Sequence, residues 1–230
     1  MDTARIAALL DHFLEPSLLS SQLDQISTYI NLLLRWNARI NLTAIRHPEE
    51  IVTRHFGESF FMARHLFPAA APDFASILAP EGAPSKLRLG EDVRVLDIGS
   101  GAGFPAIPLK IWAPHLHLTL IESNHKKAAF LREVARALTL TNVNVINDRA
   151  ETVAARPDSP QADFVTLRAV ESFETILPHA LTLLAPKATL ALLIGAAQVP
   201  RLAILSTLKW HPPINIPQSH SRVLSIGIRC

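Results

Sequence analysis

The chain has 230 residues, of which 49% are hydrophobic and 18% charged, and its formal net charge is +2. This composition excludes a disordered chain and a polycation, so any nucleic-acid-binding surface must be a local patch. The single cysteine, Cys230, excludes a disulfide framework and a cysteine-based metal site, and it favours the cytoplasm. We expect no signal peptide and no membrane-spanning segment.

Three segments differ in pattern, and we expect them to form one structural unit. Residues 1–67 predict helices, because apolar residues such as Ile26, Ile30 and Leu33 recur at helical spacing. Residues 68–90 are rich in proline and alanine, which indicates a linker or surface loop. Residues 91–230 alternate strand and helix patterns, which predicts an α/β domain with a parallel sheet covered by helices on both faces.

The elements of this third segment follow from its apolar runs and their boundaries. The predicted strands are Val93–Ile98, Leu116–Ile121, Val143–Ile146, Phe164–Leu167, Leu190–Ile194 and Val223–Ile228. Helices are predicted near Ala106–Trp112, Lys126–Ala137, Thr175–Leu184 and Val199–Leu208. Two prolines after His211 break the chain, and the final stretch predicts a pair of strands.

The first predicted strand runs into a turn with glycines at positions 99, 101 and 103, and Asp97 lies two residues before the first of them. This D-x-G-x-G-x-G pattern is typical of proteins that bind S-adenosylmethionine, and it indicates a methyltransferase. Glycines let the backbone turn sharply and approach the ligand, while Asp97 can meet its cationic methionine end directly or through water. A nicotinamide site needs a further glycine where this chain has Phe104, so an oxidoreductase is disfavoured.

Acidic residues also follow the next two strands. Glu122 lies where a carboxylate can take both ribose hydroxyls of the ligand; the alternative is an acid at a helix N-terminus. After the third strand, Glu151 or the backbone of Ala150 can hydrogen-bond an adenine amino group; the alternative is an ordinary surface position.

The end of the fourth strand carries Arg168 and limits the chemistry. The D/N-P-P-Y/F motif of enzymes that methylate exocyclic amines is absent there, and no internal cysteine can activate a pyrimidine ring. An already nucleophilic centre such as a purine N7 remains, and it needs positioning more than a general base. Arg168 is therefore the candidate catalytic residue, donating to guanine O6 or orienting the cofactor; the alternative is a salt bridge at a strand end.

Three motifs resemble the signatures of the bacterial RsmG (GidB) family. Residues 35–43, R-W-N-A-R-I-N-L-T, followed by Arg54-His55, are similar to its K/R-W-N-x-x-x-N-L-T and R-H-x-x-D-S motifs. Residues 97–109 resemble its D-x-G-x-G-x-G-[FL]-P-G-[IL]-P-L turn, and residues 163–169 resemble its D-x-x-x-x-R-A motif.

The resemblance implies a class I, Rossmann-like methyltransferase domain preceded by a helical segment. It implies an S-adenosylmethionine-dependent enzyme that makes 7-methylguanosine in 16S ribosomal RNA. Its partner would be that RNA, in the small ribosomal subunit or an assembly intermediate, and we expect a monomer. The implied cofactor-site residues are Gly99, Phe104, Ala150, Glu151 and Arg168, to which the residue pattern adds Asp97, Gly101 and Glu122.

The chain departs from the family pattern at three places. Glu58 replaces the usual Asp, the 68–90 segment is longer than usual, and Ile194-Gly195 stands where the family has Lys-Gly. If that lysine meets RNA phosphate, another basic residue must serve here.

The candidate RNA-binding residues are Arg35, Arg39, Arg46, Arg54, His55 and Arg149. A guanine splayed out of its RNA can stack on Trp36 or Phe104. Alternatively, Trp36 packs between the helices and the sheet, and the arginines are solvated. Dispersed histidines predict no metal site. The competing functions are a methyltransferase acting on another RNA, a small molecule or a protein, and a non-catalytic RNA-binding protein that retains the cofactor fold.

Overall fold

A computed structural model describes residues 1–14, 17–68, 92–169 and 173–230. Apart from Pro68, the predicted linker at 68–90 lies outside the described residues. Within the described ranges, no helix is both long and apolar enough to span a bilayer.

The described strands form an eight-stranded sheet. They are β1 Arg94–Ile98, β2 His117–Ile121, β3 Val143–Ile146, β4 Ala162–Arg168, β5 Leu184–Gly195, β6 Leu208–Trp210, β7 Ile214–Asn215 and β8 Arg222–Arg229. Their order is β3-β2-β1-β4-β5-β8-β6, with β7 also paired to β8. Strands β1 to β5 are mutually parallel, whereas β8 is antiparallel to β5, β6 and β7. The predicted α/β class is confirmed.

Strand β1 lies between β2 and β4, so the order of the strands reverses on either side of it. Open α/β sheets bind ligands at the carboxyl ends of the strands beside such a reversal. Asp97, the second-last residue of β1, pairs in register with Leu120 of β2 and Thr166 of β4. The fold therefore places the motif residues of three strands at one edge.

Helices cover the sheet and precede it. They are α1 Thr3–Leu10, α2 Ser20–Asn37, α3 Pro48–Glu50, α4 Glu58–Leu66, α5 Ala106–Trp112, α6 His125–Ala137, α7 Ala150–Ala154 and α8 Phe173–Thr182. A π-helical segment, Ile51–Gly57, joins α3 to α4. Local sequence explains several starts: Pro48 occupies the first position of α3, and the Asn124 side chain caps α6.

The amino-terminal helices share an apolar core with one face of the sheet. Phe13, Phe56 and Phe60 are fully or almost fully buried in a cluster that also contains Val95 of β1. The opposite face packs a second cluster, which includes Leu96. Because the helices pack directly on the sheet, residues 54–58 are held beside the ends of its strands.

Three sequence predictions need correction. The helix predicted at 199–208 is a 3₁₀ segment, Ala196–Ile204, followed by β6, because Pro200 lacks the N–H that an α-helix requires. Strand β5 begins at Leu184, where a helix was predicted to end. The predicted loop after β3 contains the short helix α7.

Candidate functional site

The glycine-rich turn after β1 has a left-handed backbone at all three glycines. The φ angles are 68° at Gly99, 55° at Gly101 and 87° at Gly103. The amides of Gly99 and Ser100 donate to the carbonyl of Ile121 at 2.9 and 3.1 Å, which fastens the turn to the end of β2. The predicted need for glycine is confirmed, because side chains rarely adopt this backbone conformation.

Two of these glycines have different surroundings. A Cβ at Gly103 would lie 2.7 Å from Ile107 Cδ1 and closer still to the Tyr29 hydroxyl, so internal packing excludes a side chain there. That hydroxyl donates to the Ala102 carbonyl, which links the turn to helix α2. A Cβ at Gly101 would meet a single heavy atom within 4 Å, the Gly99 carbonyl oxygen at 3.7 Å. The space beside Gly101 is therefore open to a ligand.

Asp97 is buried at the end of β1 with one oxygen unpartnered. Its Oδ1 accepts from the Thr166 hydroxyl at 2.6 Å, whereas Oδ2 has no hydrogen-bond partner among the described residues. Loss of hydration raises the pKa of Asp97 to about 7, partly offset by the hydrogen bond from Thr166. An unpaired buried oxygen needs a donor, and a cationic group would supply one while stabilising the charged carboxylate.

Glu122, at the end of β2, is buried against the same turn. One carboxylate oxygen accepts from the amide of Gly101 at 2.7 Å, and the other accepts from the amide of Asn124 at 2.7 Å. The Asn147 side chain donates to the carbonyl of Glu122 at 2.8 Å and links β3 to this loop. These bonds fix the carboxylate beside the turn, and each oxygen retains a lone pair for a further donor. The proposed ribose contact stays a prediction.

The loop after β3 reaches the first turn of α7. Ala150 is buried as its first residue, whereas the Glu151 side chain is 44% exposed and lies 3.6 Å from Arg149. The predicted adenine contacts of Ala150 and Glu151 stay predictions.

Phe104 follows the turn and is buried in an aromatic stack. Its ring stacks on Tyr29 at a centroid distance of 5.2 Å and on His55 at 4.6 Å, and Phe56 packs edge-on. Only 7% of Phe104 is exposed. The suggestion that a guanine stacks on Phe104 is therefore wrong, because neighbouring aromatic rings already cover it. Trp36 packs edge-on against Phe130 of α6, as the packing alternative predicted.

The amino-terminal motif builds the wall beside this stack. The Asn37 side chain accepts from the amides of Leu42 and Thr43 and donates to the Thr43 carbonyl, at 2.9 to 3.0 Å. The Thr43 hydroxyl lies 2.8 Å from His55 Nε2. Burial, with nearby Arg168, lowers the pKa of His55 to about 2, so its ring is neutral. His55, a candidate RNA-binding residue, therefore adds no positive charge that could attract RNA.

Arg168 leaves the end of β4 and points toward the π-helical segment and α4. Its Nη2 donates to the Arg54 carbonyl at 2.7 Å and lies 3.1 Å from Glu58 Oε2. Its Nη1 is buried and has no hydrogen-bond partner within the part of the chain that the structure describes. Burial lowers the pKa of Arg168 to about 10, which leaves it charged at neutral pH. The predicted strand-end salt bridge exists, and one donor remains free.

Glu58 also pairs with two further arginines. It lies 3.4 Å from Arg54 Nε and 2.5 Å from Arg222 Nη2, although only 2% of its side chain is exposed. The sequence pattern indicated Glu58 only as a departure from a motif, and it gave no indication that Arg222 reaches this site. The spacing of Arg54 and Glu58, four residues apart in a helical segment, was the available signal for their contact.

These groups line a cavity of about 440 Å³ that opens to solvent at the carboxyl ends of β4 and β5. The lining residues are Ile45, Arg54, His55, Glu58, Leu167, Arg168, Ala169, Leu193, Ile194, Gly195, Gln198 and Arg222. Of the predicted RNA-binding residues, Arg54 and His55 reach this cavity.

The other predicted RNA-binding residues are exposed, and the described lining does not include them. Arg35 pairs with Glu133 of α6 at 3.0 Å, and Arg149 lies beside Glu151. Arg39 and Arg46 lie on the surface of the amino-terminal segment. The described residues contain no group of three or more His, Cys, Asp or Glu side chains arranged to hold a metal ion.

Comparison with known proteins gives a family match. The GidB family model, described as rRNA small subunit methyltransferase G, matches residues 22–77 and 83–205. Proteins named ribosomal RNA small subunit methyltransferase G are similar to this chain over much of its length. The protein of Roseiflexus castenholzii is 42% identical to this chain, and the match covers 70% of this chain and 60% of the relative. The protein of Bacillus subtilis is 37% identical, and the match covers 67% of this chain and 56% of the relative. The chain thus spans about 60% of the first of these relatives.

Solved structures share the fold at low sequence identity. A ribosomal protein L11 methylase from Lactobacillus delbrueckii is 15% identical over 62% of this chain and 72% of its own, with a TM-score of 0.50. A predicted O-methyltransferase from Agrobacterium tumefaciens is 16% identical, and the match covers 71% of this chain and 79% of the other, also with a TM-score of 0.50. The predicted class I, Rossmann-like methyltransferase fold is confirmed.

Proposed function

This chain belongs to the GidB family, rRNA small subunit methyltransferase G, and from that premise we propose that it methylates N7 of a guanine in 16S ribosomal RNA with S-adenosylmethionine. The observation that carries the proposal is the environment of Asp97. Among the described residues its buried Oδ2 has no donor, and it lies beside a glycine turn that a hydrogen bond to Glu122 fixes in place. This arrangement fits a ligand with a cationic end and neighbouring hydroxyls.

Residues at the strand ends would hold the cofactor. Asp97 would meet the cationic methionine end, Glu122 the ribose, and Ala150 with Glu151 the adenine, while Gly99 and Gly101 leave room for the ligand. S-adenosylmethionine supplies an electrophilic methyl group on a sulfonium sulfur. The fit rests on the unpaired Asp97 oxygen and on the open space beside Gly101.

The protein's part in the reaction is to position the base. Guanine N7 carries an in-plane lone pair and needs no deprotonation before it attacks the methyl group. Arg168 lines the cavity as a charged donor, and its guanidinium is suited to an acceptor such as guanine O6. The pKa of about 2 makes the ring of His55 a weak base, and Glu58 is held by arginines, which is consistent with a reaction without a general base. A cavity lined by three arginines favours an anionic RNA over a neutral small molecule.

We further propose that the substrate is RNA of the small subunit or its assembly intermediate, and that the enzyme acts as a cytoplasmic monomer. The surface arginines Arg35, Arg39, Arg46 and Arg149 would then contact RNA outside the cavity. Methylation of free 16S rRNA compared with assembled subunits separates the two substrate forms.

Two measurements test the function. Calorimetric titration with S-adenosylmethionine and its demethylated product should show binding to the wild type and loss of binding in Gly99→Val. Mapping of methylated bases in rRNA incubated with the enzyme should find a 7-methylguanosine in 16S rRNA. Unchanged affinity of the variant for S-adenosylmethionine would show that the cofactor does not bind at the turn. A product methylated on an amine, or methylation confined to a small molecule, would contradict the proposed substrate.

A further inference from the structure

The cavity wall beside β5 contains a cation that arrives from another strand. Arg222 is the first residue of β8 and pairs in register with Gly195, the residue after Ile194. Its Nη2 lies 2.5 Å from Glu58 Oε1, and its Nε donates to the Ser219 hydroxyl at 3.3 Å. Arg222 is therefore fixed at two points, immediately next to the position where Ile194 replaces the basic residue of the family motif.

The charges that line the cavity do not cancel. Arg54, Arg168 and Arg222 are positive, and Glu58 is the acid among the described lining residues. Burial raises the pKa of Glu58, so Glu58 offsets at most one of the three positive charges. His55 is neutral. The lining residues thus carry an excess of at least two positive charges. Arg168 and Arg222 are mostly withdrawn from water, whereas the side chain of Arg54 is 42% exposed.

Such an excess favours an anionic ligand. The side chain of Arg168 is 10% exposed and that of Arg222 is 22% exposed, so water solvates both guanidiniums poorly. Charges in such places are stabilised by pairing and hydrogen bonding, and a guanidinium fork matches the oxygens of a phosphate. Among the described residues, contacts within the protein leave one arginine donor, Nη1 of Arg168, without a partner.

We propose that Arg222 binds a phosphodiester of the RNA backbone adjoining the target guanine, with Glu58 as the residue that positions it. This inference rests on the proposed function. It assigns the two arginines different roles in the cavity, because Arg168 would contact the base and Arg222 the RNA backbone. Arg222 then provides from β8 the positive charge that Ile194 cannot provide from β5.

The test measures RNA binding without cofactor, so that it does not depend on turnover. Titrations of a short single-stranded RNA with one guanine, at several salt concentrations, compare the wild type, Arg222→Gln, Arg222→Lys and Arg201→Gln. Arg201 is a matched control, because it lies outside the described cavity lining and pairs with exposed Glu174. A second RNA carries a neutral methylphosphonate at the linkage next to the guanine.

Loss of one phosphate contact should flatten the slope of log K against log salt by about 0.7 in Arg222→Gln, with affinity reduced on the order of tenfold. Arg222→Lys should keep the slope, because it keeps the charge, and Arg201→Gln should resemble the wild type. The methylphosphonate should weaken binding to the wild type but leave Arg222→Gln unchanged. Thermal unfolding of each variant checks that it is folded.

Equal slopes for Arg222→Gln and Arg201→Gln would overturn the inference, as would equal sensitivity of the wild type and Arg222→Gln to the methylphosphonate. Base mapping with the wild type keeps this outcome separate from the proposed function. A wild type that methylates 16S rRNA while Arg222→Gln binds normally would refute only the phosphate site. A wild type that methylates no rRNA would refute the proposed function whatever the slopes.

Discussion

Replacement of Asp97 by asparagine should stabilise the protein while weakening cofactor binding. Asp97 is 1% exposed, and its neutral isostere keeps the size and shape of the side chain. The asparagine oxygen can accept the hydrogen bond that Thr166 gives to Oδ1, whereas the buried amide that replaces Oδ2 brings two N–H donors whose desolvation offsets on the order of 1–2 kcal/mol of the gain. The substitution thus removes a buried charge with little change in packing.

The magnitude follows from the pKa of Asp97, which burial raises from 3.8 to about 7. Well below pH 3.8 the carboxyl is protonated in both the folded and the unfolded chain, so the charge imposes no penalty. As the pH rises toward 7, the unfolded chain releases its proton first, and the free energy of unfolding falls. Above pH 7 the full penalty remains, at about 1.4 kcal/mol per pK unit, or on the order of 4 kcal/mol in total.

Urea unfolding at pH 5 and pH 8 measures this difference. Asp97→Asn should be more stable than the wild type by on the order of 2–4 kcal/mol at pH 8 and by clearly less at pH 5. Asp158→Asn, at an exposed carboxylate, is the control and should change the stability by less than about 0.5 kcal/mol at either pH. A gain that is equal at both pH values, or a loss at pH 8, would refute the burial argument.

Calorimetry on the same variant tests the role of Asp97 toward the ligand. The affinity of Asp97→Asn for S-adenosylmethionine should fall on the order of tenfold or more, because a charged hydrogen-bond acceptor is lost. Greater stability with unchanged affinity would mean that Asp97 does not face the cationic end of the ligand.

The sequence predicted those parts of the site that depend on local pattern. An apolar strand followed by glycines at alternating positions requires a sharp left-handed turn, and the structure has that turn at Gly99, Gly101 and Gly103. The positions of Asp97 and Glu122 follow from the same rule, because parallel strands deliver their final side chains to one edge.

The cavity could not be predicted in the same way, because it depends on contacts between distant parts of the chain. Glu58 and Arg222 meet only because the antiparallel register of β8 on β5 places Arg222 opposite Gly195. Nor does sequence spacing indicate that Tyr29 and His55 stack on Phe104, since that contact requires both α2 and the π-helical segment to pack beside the glycine turn. The motif supplied the residues, and tertiary packing determined which of them remain available to a ligand.

Three further predictions concern packing, metal dependence and mechanism. Gly103→Ala should cost on the order of 2–4 kcal/mol in urea unfolding, because its Cβ would collide with Ile107, whereas Gly101→Ala should cost less and mainly weaken cofactor binding. Chelators should leave methyl transfer unchanged, and a loss restored by one specific metal would contradict this. Arg168→Ala should lower turnover on the order of a hundredfold by removing a positioning contact. The fold should survive, since Arg54 and Arg222 still pair with Glu58. At saturating cofactor the wild-type rate should lack a titration near neutrality, because the cationic end of the ligand keeps Asp97 charged, the pKa of His55 is about 2 and no general base is needed. Near-normal turnover of Arg168→Ala, with a rate that titrates near neutral pH, would refute both the positioning role and the base-free mechanism.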